Sequence, residues 1–231
     1  MNSVLERVDW GNPVLAFLDQ LKHINPELPA LIHIRHSERV LEGLYTDLTQ
    51  TGLEASKQFG EQLPRNRSYR FYHTPSSRTE KTVEKIIEGL HQKQPKTSIQ
   101  NIGDLKTMRD EEKAVINLRK NWDDSTQIRS WFYKWVAGFY PPWEMGSTLD
   151  AAQQLSGIMM KNLDTATPET IDLYVTHDTY VAVCVFHWFG LMITDWINFL
   201  NGFMVQFYPD CMRVFYSGSI MDVEYPYWWN F

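Results

Sequence analysis

The residues best suited to chemistry in this chain lie in two short clusters far apart in sequence: Arg35, His36, Ser37, Glu38 and Arg39, and then His177, Asp178 and Thr179. Between them stands Arg78, preceded by Thr74-Pro75-Ser76-Ser77. Guanidinium groups match phosphate oxygens with parallel N–H donors, and an imidazole aimed by its neighbours can attack phosphorus and carry the phosphoryl group covalently. A carboxyl group beside a second histidine can supply a proton to a departing alkoxide. Together these residue types describe an anion site with a nucleophile in it. Singly, each has a plainer reading: a strand end that solvates itself with charge, a surface arginine, a structural histidine.

A repeated arrangement could bring them together. Ala30, Leu31, Ile32 and Ile34 form a short apolar run that leads into Arg35 and His36, and Ile171 to Thr176, IDLYVT, leads in the same way into His177 and Asp178. Such runs read as buried strands, and open α/β sheets place ligands at the C-terminal ends of their strands. After the first cluster, LTQTGLEASKQFGEQLP spaces Leu53, Ala55, Phe59 and Leu63 as an amphipathic helix, capped by Thr49 or Thr51 and stopped by Pro64. Its N-terminus would bring the positive end of a helix dipole to the arginine and histidine loop. Tyr69 to His73 reads as a second strand, followed by a helix from about Arg78 to His91 with Val83, Ile86, Ile87 and Leu90 on one face. An arginine at a helix N-terminus opposes the dipole, a local cost unless an anion is held there.

The other segments are expected to support this frame. Asn12 as cap and Pro13 at the first helical position predict a packing helix with Val14, Leu15, Phe17, Leu18 and Leu21 along one stripe. A weaker strand runs through Ser98 to Ile102. Asp110, Glu111 and Glu112 form an acidic run that reads as a solvated helix start, with Asp110 and Glu111 kept as secondary candidates for a catalytic acid. From Trp122 to Trp143 the chain turns aromatic, which fits either a satellite core or dimer face, or a helical cap that shapes a substrate pocket. Leu149 to Leu163 predicts a further amphipathic helix. Val181 to Leu200 has the length of a membrane span, but His187, Gly190, Asp195 and Asn198 within it favour a buried helix followed by a turn. Phe203 to Tyr208 and Met212 to Tyr216, joined by Pro209-Asp210, predict a terminal hairpin of antiparallel edge strands, and the aromatic tail YPYWWNF is expected to pack down.

Composition bounds the reading. The 231 residues suit a single domain over 1–231, with 104–165 as a helical insert or cap, and 43% hydrophobic with 22% charged residues is the balance of a globular protein. A net charge of -6 supplies no field for a general nucleic-acid binder. Cys184 and Cys211 alone make neither a disulfide framework nor a cysteine zinc site, and read as buried thiols. The opening MNSVLERVDWGNP shows no basic segment followed by an apolar one, so a cytoplasmic location without membrane association is expected.

With Arg35-His36, Arg39, Arg78 and His177-Asp178 in this order, the chain resembles the histidine phosphatase superfamily, the phosphoglycerate-mutase-like fold, from about Leu31 to the hairpin. The family's RHG signature appears as RHS at Arg35-His36-Ser37, its next arginine as Arg39, its SPxxR-like arginine as Arg78 in TPSSR, and its second histidine as His177; LTQTG is also similar. In the acid-phosphatase-like branch an aspartate after the second histidine donates the proton, which Asp178 matches. The mutase-like branch uses a mid-chain glutamate, which TMRDEE only approximates, so Asp110 and Glu111 come second. Ser37 departs from the family glycine, which puts the loop geometry in question.

The resemblance implies an α/β three-layer sandwich: a mostly parallel central sheet flanked by helices, a C-terminal hairpin and a helical aromatic insert. It implies hydrolysis of a small phosphorylated substrate without metal or cofactor. His36 would be the nucleophile, Arg35, Arg39, Arg78 and His177 would bind the phosphoryl oxygens, and Asp178 would donate the proton. The same arginines disfavour a protonated His36 but also disfavour a protonated Asp178, a tension from which an acidic pH optimum is expected. Other outcomes of this site are a mutase, a phosphoprotein or phosphohistidine phosphatase, and a non-catalytic module that binds phosphate.

Overall fold

Leu31, Ile32 and Ile34 are fully buried because β1 (Ala30–Arg35) runs inside a sheet covered on both faces. The computed structural model describes residues 3–40, 46–90, 97–102 and 125–229. The other strands are β2 (Ser68–His73), β3 (Thr97–Asn101), β4 (Thr170–Thr176), β5 (Gly202–Phe207), β6 (Met212–Tyr216) and β7 (Ser219–Val223). They lie in the order β3-β2-β4-β1-β5-β6-β7. The first four are parallel, and β5, β6 and β7 continue the sheet with antiparallel pairings.

The helices described are α1 (Val4–Arg7), α2 (Gly11–Gln20), α3 (Gln50–Gln62), α4 (Ser77–Gly89), α5 (Ser125–Val136), α6 (Thr148–Leu163) and α7 (Asp178–Phe189). Strand alternation sends side chains into two separate cores. Ile32, Ile34 and Leu173 meet Leu5, Phe17, Phe59 and Ile86 from α1 to α4, while Leu31, Tyr174 and Val205 meet Trp131, Leu155 and Trp188 from α5 to α7. The result is helices, sheet, helices: the expected three layers. Each such aliphatic side chain, fully buried, contributes about 1.5–3 kcal/mol.

Some local expectations change. The packing helix begins at Gly11 with Trp10 at its cap, so Asn12 is no cap and Pro13 occupies the third position. Proline is tolerated there because no residue of a first turn needs its N–H for an intrahelical bond. The hairpin is not at the sheet edge: β5 pairs with β1, and an unforeseen β7 takes the outside position after a tight reversal at Ser217 (φ 50) and Gly218 (φ 78). Trp229 of the tail is buried against Trp188, their ring centroids 4.7 Å apart. The apolar stretch from Val181 ends as a helix at Phe189, closed by Gly190 in the left-handed region (φ 64), and among the described residues no helix is long and apolar enough to cross a membrane.

The sheet register places the candidate site. β1 and β4 are parallel neighbours with Arg35 opposite Thr176, so His36 and His177 leave adjacent strands side by side. The His36 N–H donates to the Thr176 carbonyl at 2.9 Å, extending the ladder by one bond.

Candidate active site

Three strand-to-helix junctions meet at this edge. The β1 loop turns onto the first turn of α3, where Thr49 caps Gly52 N–H and the Glu38 carbonyl accepts from Thr49 N–H at 3.0 Å. Gly52 is required by the closeness of that contact, since a Cβ there would come within 2.2 Å of the Glu38 carbonyl oxygen. Arg78 is the second residue of α4, after β2, and His177 is the N-cap of α7, after β4.

Hydrogen-bond chemistry fixes the tautomer of His36. Its Nδ1 lies 2.7 Å from the Ser37 carbonyl, which can only accept, so Nδ1 carries the hydrogen. Its Nε2 faces Arg78 Nε–H at 3.1 Å, which can only donate, so Nε2 offers a lone pair. His177 takes the opposite tautomer: its Nδ1 faces Arg78 Nη2 at 3.3 Å, leaving Nε2–H to donate to Thr74 Oγ1 at 3.3 Å. Arg78 therefore bridges both imidazoles, whose centroids are 5.4 Å apart. Burial, then Arg35, His177 and Arg78, hold the His36 pKa well below the usual histidine value. Burial and Arg78 lower that of His177 against the opposing pull of Asp178.

Arg35 donates to the Ile197 carbonyl at 2.8 Å, approaches Asp178 Oδ2 at 3.3 Å and lies over the Phe199 ring at 4.3 Å. Asp178 also accepts from Thr179 N–H at 2.8 Å and from the indole N–H of Trp196 at 3.0 Å. Burial raises its pKa, but Arg35, the Trp196 N–H, His177 and the Thr179 N–H outweigh it, so the carboxyl is held ionised. Arg39 is buried and donates to the Val40 carbonyl and to Thr46 Oγ1, both at 3.1 Å; its guanidinium interacts electrostatically with Arg35 and Asp178. Arg35, His36, Arg39, Arg78, His177 and Asp178 are thus assembled at one edge. Asp110 and Glu111 lie outside the described residues.

The sequence model of the histidine phosphatase superfamily (branch 1) matches residues 32–203. The chain belongs to the histidine phosphatase superfamily. Its backbone is similar to a phosphoglycerate mutase from Bacillus anthracis, at 13% identity over 87% of this chain and 94% of that one, with a TM-score of 0.52. It is also similar to mycobacterial hydrolase 2 (13% identity, 83% and 91% covered, TM-score 0.57) and to a mycobacterial glucosyl-3-phosphoglycerate phosphatase (12% identity, 85% and 95% covered, TM-score 0.52). At such identities the likeness shows the fold alone. No curated protein matches the sequence. The matching model is that of branch 1, and affinity with the acid-phosphatase-like branch rests only on Asp178 following His177.

For this histidine phosphatase superfamily member the Ser37 departure has a local explanation. Ser37 is not among the residues with positive φ, so no glycine conformation is needed there. Its N–H donates to Thr82 Oγ1 at 3.1 Å and its hydroxyl to the Gly52 carbonyl at 2.8 Å, so the serine fastens the loop to both α4 and α3. Sequence reasoning missed Trp196 and Phe199. Both lie in the segment 190–201, where the one signal was Gly190 ending an apolar helix before a polar and aromatic run. Among the described residues no cluster of three or more His, Cys, Asp and Glu side chains could hold a metal ion.

Proposed function

We propose that this chain is a metal-independent phosphomonoester hydrolase that works through a phosphohistidine on His36. The observation that carries this reading is the His36 ring: buried, neutral, its Nδ1–H fixed on the Ser37 carbonyl and its Nε2 lone pair aimed among Arg78 and His177. Binding of a phosphoryl dianion draws the Arg78 N–H donors onto its oxygens and releases that lone pair. Nε2 then attacks phosphorus in line, the bond to the ester oxygen breaks, and Asp178 protonates the leaving alkoxide. Arg35, Arg39 and Arg78 stabilise the charge spread over the equatorial oxygens, and His177 joins them when its Nε2–H turns from Thr74 Oγ1 to a phosphoryl oxygen. In the second half a water attacks the phosphohistidine, its proton passes to Asp178, and inorganic phosphate and neutral His36 are regenerated.

Asp178 rests ionised, so it must gain its proton when the substrate dianion offsets the arginines around it. The helix termini of α3, α4 and α7 add their positive ends to the same field. The test is to turn over 4-nitrophenyl phosphate with chelator present, quench under alkaline conditions and map phosphate by mass spectrometry. Phosphate on the His36 peptide together with inorganic phosphate in solution is expected. Turnover with no phosphorylated peptide removes the covalent route, and recovery of the phosphoryl group as a new ester on an added acceptor would make the chain a mutase.

A further inference from the structure

The insert helix α5 does more than fill the core. It grips the segment 190–201 at three places. The Tyr133 hydroxyl accepts the Ile193 N–H at 2.7 Å and faces the Ile193 carbonyl at 3.4 Å. Arg129 donates to the Thr194 carbonyl. The Phe132 ring stands edge-on to that of Trp196, with centroids 5.8 Å apart. The indole so held gives its N–H to Asp178 Oδ2 at 3.0 Å.

Other tryptophans here use their N–H differently. Trp135 donates to the Gly146 carbonyl at 2.7 Å and Trp188 to the Ala152 carbonyl at 3.1 Å, bonds that fasten core side chains to backbone. Trp196 donates to a carboxylate at the phosphoryl site. An indole is a donor only and carries no charge. It can therefore fix a carboxylate oxygen without adding another cation to a site already rich in them.

We infer that Trp196 is a positioning residue that holds the Asp178 carboxyl in place, and that α5 reaches the chemistry through it. This rests on the reading of Asp178 as proton donor. The groups facing Asp178 are Arg35 from β1, Arg39 from the following loop, His177 and the Thr179 N–H from its own helix start, and Trp196 from the segment after α7. All favour the carboxylate, and Trp196 gives it a side-chain hydrogen bond that can be removed with no change in charge.

The experiment follows kcat against pH for glycerol phosphate, a poor leaving group, and 4-nitrophenyl phosphate, a good one. Trp196→Phe keeps the ring against Phe132 and removes the N–H. With a donor to the carboxylate gone, the acid holds its proton to higher pH, and the falling alkaline limb of kcat for glycerol phosphate should move up by about one pH unit. Tyr133→Phe should move it in the same direction by less, and decides the matter if Trp196→Phe does not fold. A limb that stays in place, or a loss of rate equal at every pH, overturns the inference. Asp178→Asn separates this from the underlying reading. If it slows the single-turnover phosphorylation of His36 equally for both substrates, Asp178 is not the donor and the reading itself falls. If it selectively slows glycerol phosphate while Trp196→Phe leaves the limb unmoved, only the role of Trp196 falls.

Discussion

Arg70, inside the sheet, and the arginines at its C-terminal edge are treated in opposite ways. Arg70 of β2 stands in register with Asp172 of β4 and meets it with a two-pronged contact, Nε to Oδ1 at 2.5 Å and Nη2 to Oδ2 at 2.6 Å. Its remaining bonds go to Thr165 Oγ1 and the Asn162 carbonyl. Burial pushes the Asp172 carboxyl up and Arg70 pulls it back, a closed exchange between two strands. At the C-terminal edge, Arg35 and Arg78 are set beside imidazoles kept neutral, the Arg35 Nε is buried without a partner among the described residues, and Asp178 is shared with an indole and a backbone N–H. The first arrangement is complete without a ligand. The second concentrates like charge, which is stable only where the fold imposes it and useful only where an anion arrives.

Substitutions at the site should leave the fold intact, and loss of the interstrand pair should leave catalysis intact. The largest effect should come from His36→Ala, with kcat lowered about 10⁴-fold or more, because the proposed mechanism places the covalent intermediate on this ring. Its circular dichroism and melting temperature should stay close to the parent. Asp172→Asn should do the reverse, costing about 3 kcal/mol of stability, the low end for a buried pair because the Arg70 side chain is 21% exposed. Urea unfolding measures that loss, and kcat at 25 °C should change little. Arg78→Ala should lower kcat/KM by about 10²–10³-fold, the usual cost of removing one preorganised donor from a charged transition state. An unchanged kcat/KM would remove Arg78 from the site.

The strand ends were legible in the sequence because the interiors of β1 and β4 are apolar apart from His33 and Asp172, so the polar residues that follow Ile34 and Val175 mark the rim. The helix starts were legible where a side-chain cap exists, as at Thr49, and misread at Asn12 where the cap is Trp10 without one. Strand order was not legible, since nothing local in β4 says that it lies between β1 and β2. Trp196 and Phe199 escaped for a related reason. Aromatic residues are 14% of the chain, so one more carries no signal until Gly190 reverses the backbone and β5, pairing with β1, returns the segment to Arg35. The described part of the aromatic stretch divides by burial. Trp131, Phe132 and Trp135 are core, Phe139 and Trp143 are exposed, and through Trp196 the same helix touches the site. Trp122 lies outside the described residues.

Buried neutral histidines give the fold a pH dependence whose sign can be worked out. Burial lowers the His33 pKa to about 3, and His36 and His177 are lowered too. Below about pH 6.5 the unfolded chain takes up protons at these rings while the folded chain does not. Stability is therefore full above that value and lost as the pH falls from it, by about 1.4 kcal/mol per pH unit for each histidine that stays neutral in the fold. Urea midpoints at pH 7.5, 6 and 5 should fall in that order. A midpoint that holds constant would mean that these rings accept protons without leaving their places.

The smallest effect is expected at Ser37, where what holds the His36 loop can be separated from what the loop does. Ser37→Gly restores the residue usual in the family's signature but removes the hydroxyl bond to the Gly52 carbonyl and adds freedom to the unfolded chain. The Ser37 carbonyl that orients His36 and the N–H on Thr82 are backbone groups and remain. The variant should lose about 1–2 kcal/mol of stability by urea unfolding, from the lost bond and the added entropy together, with kcat within about twofold of the parent. If kcat instead rose severalfold, the serine would be constraining the loop away from its productive geometry, and the site would share with the Arg70–Asp172 pair a cost that chemistry does not require.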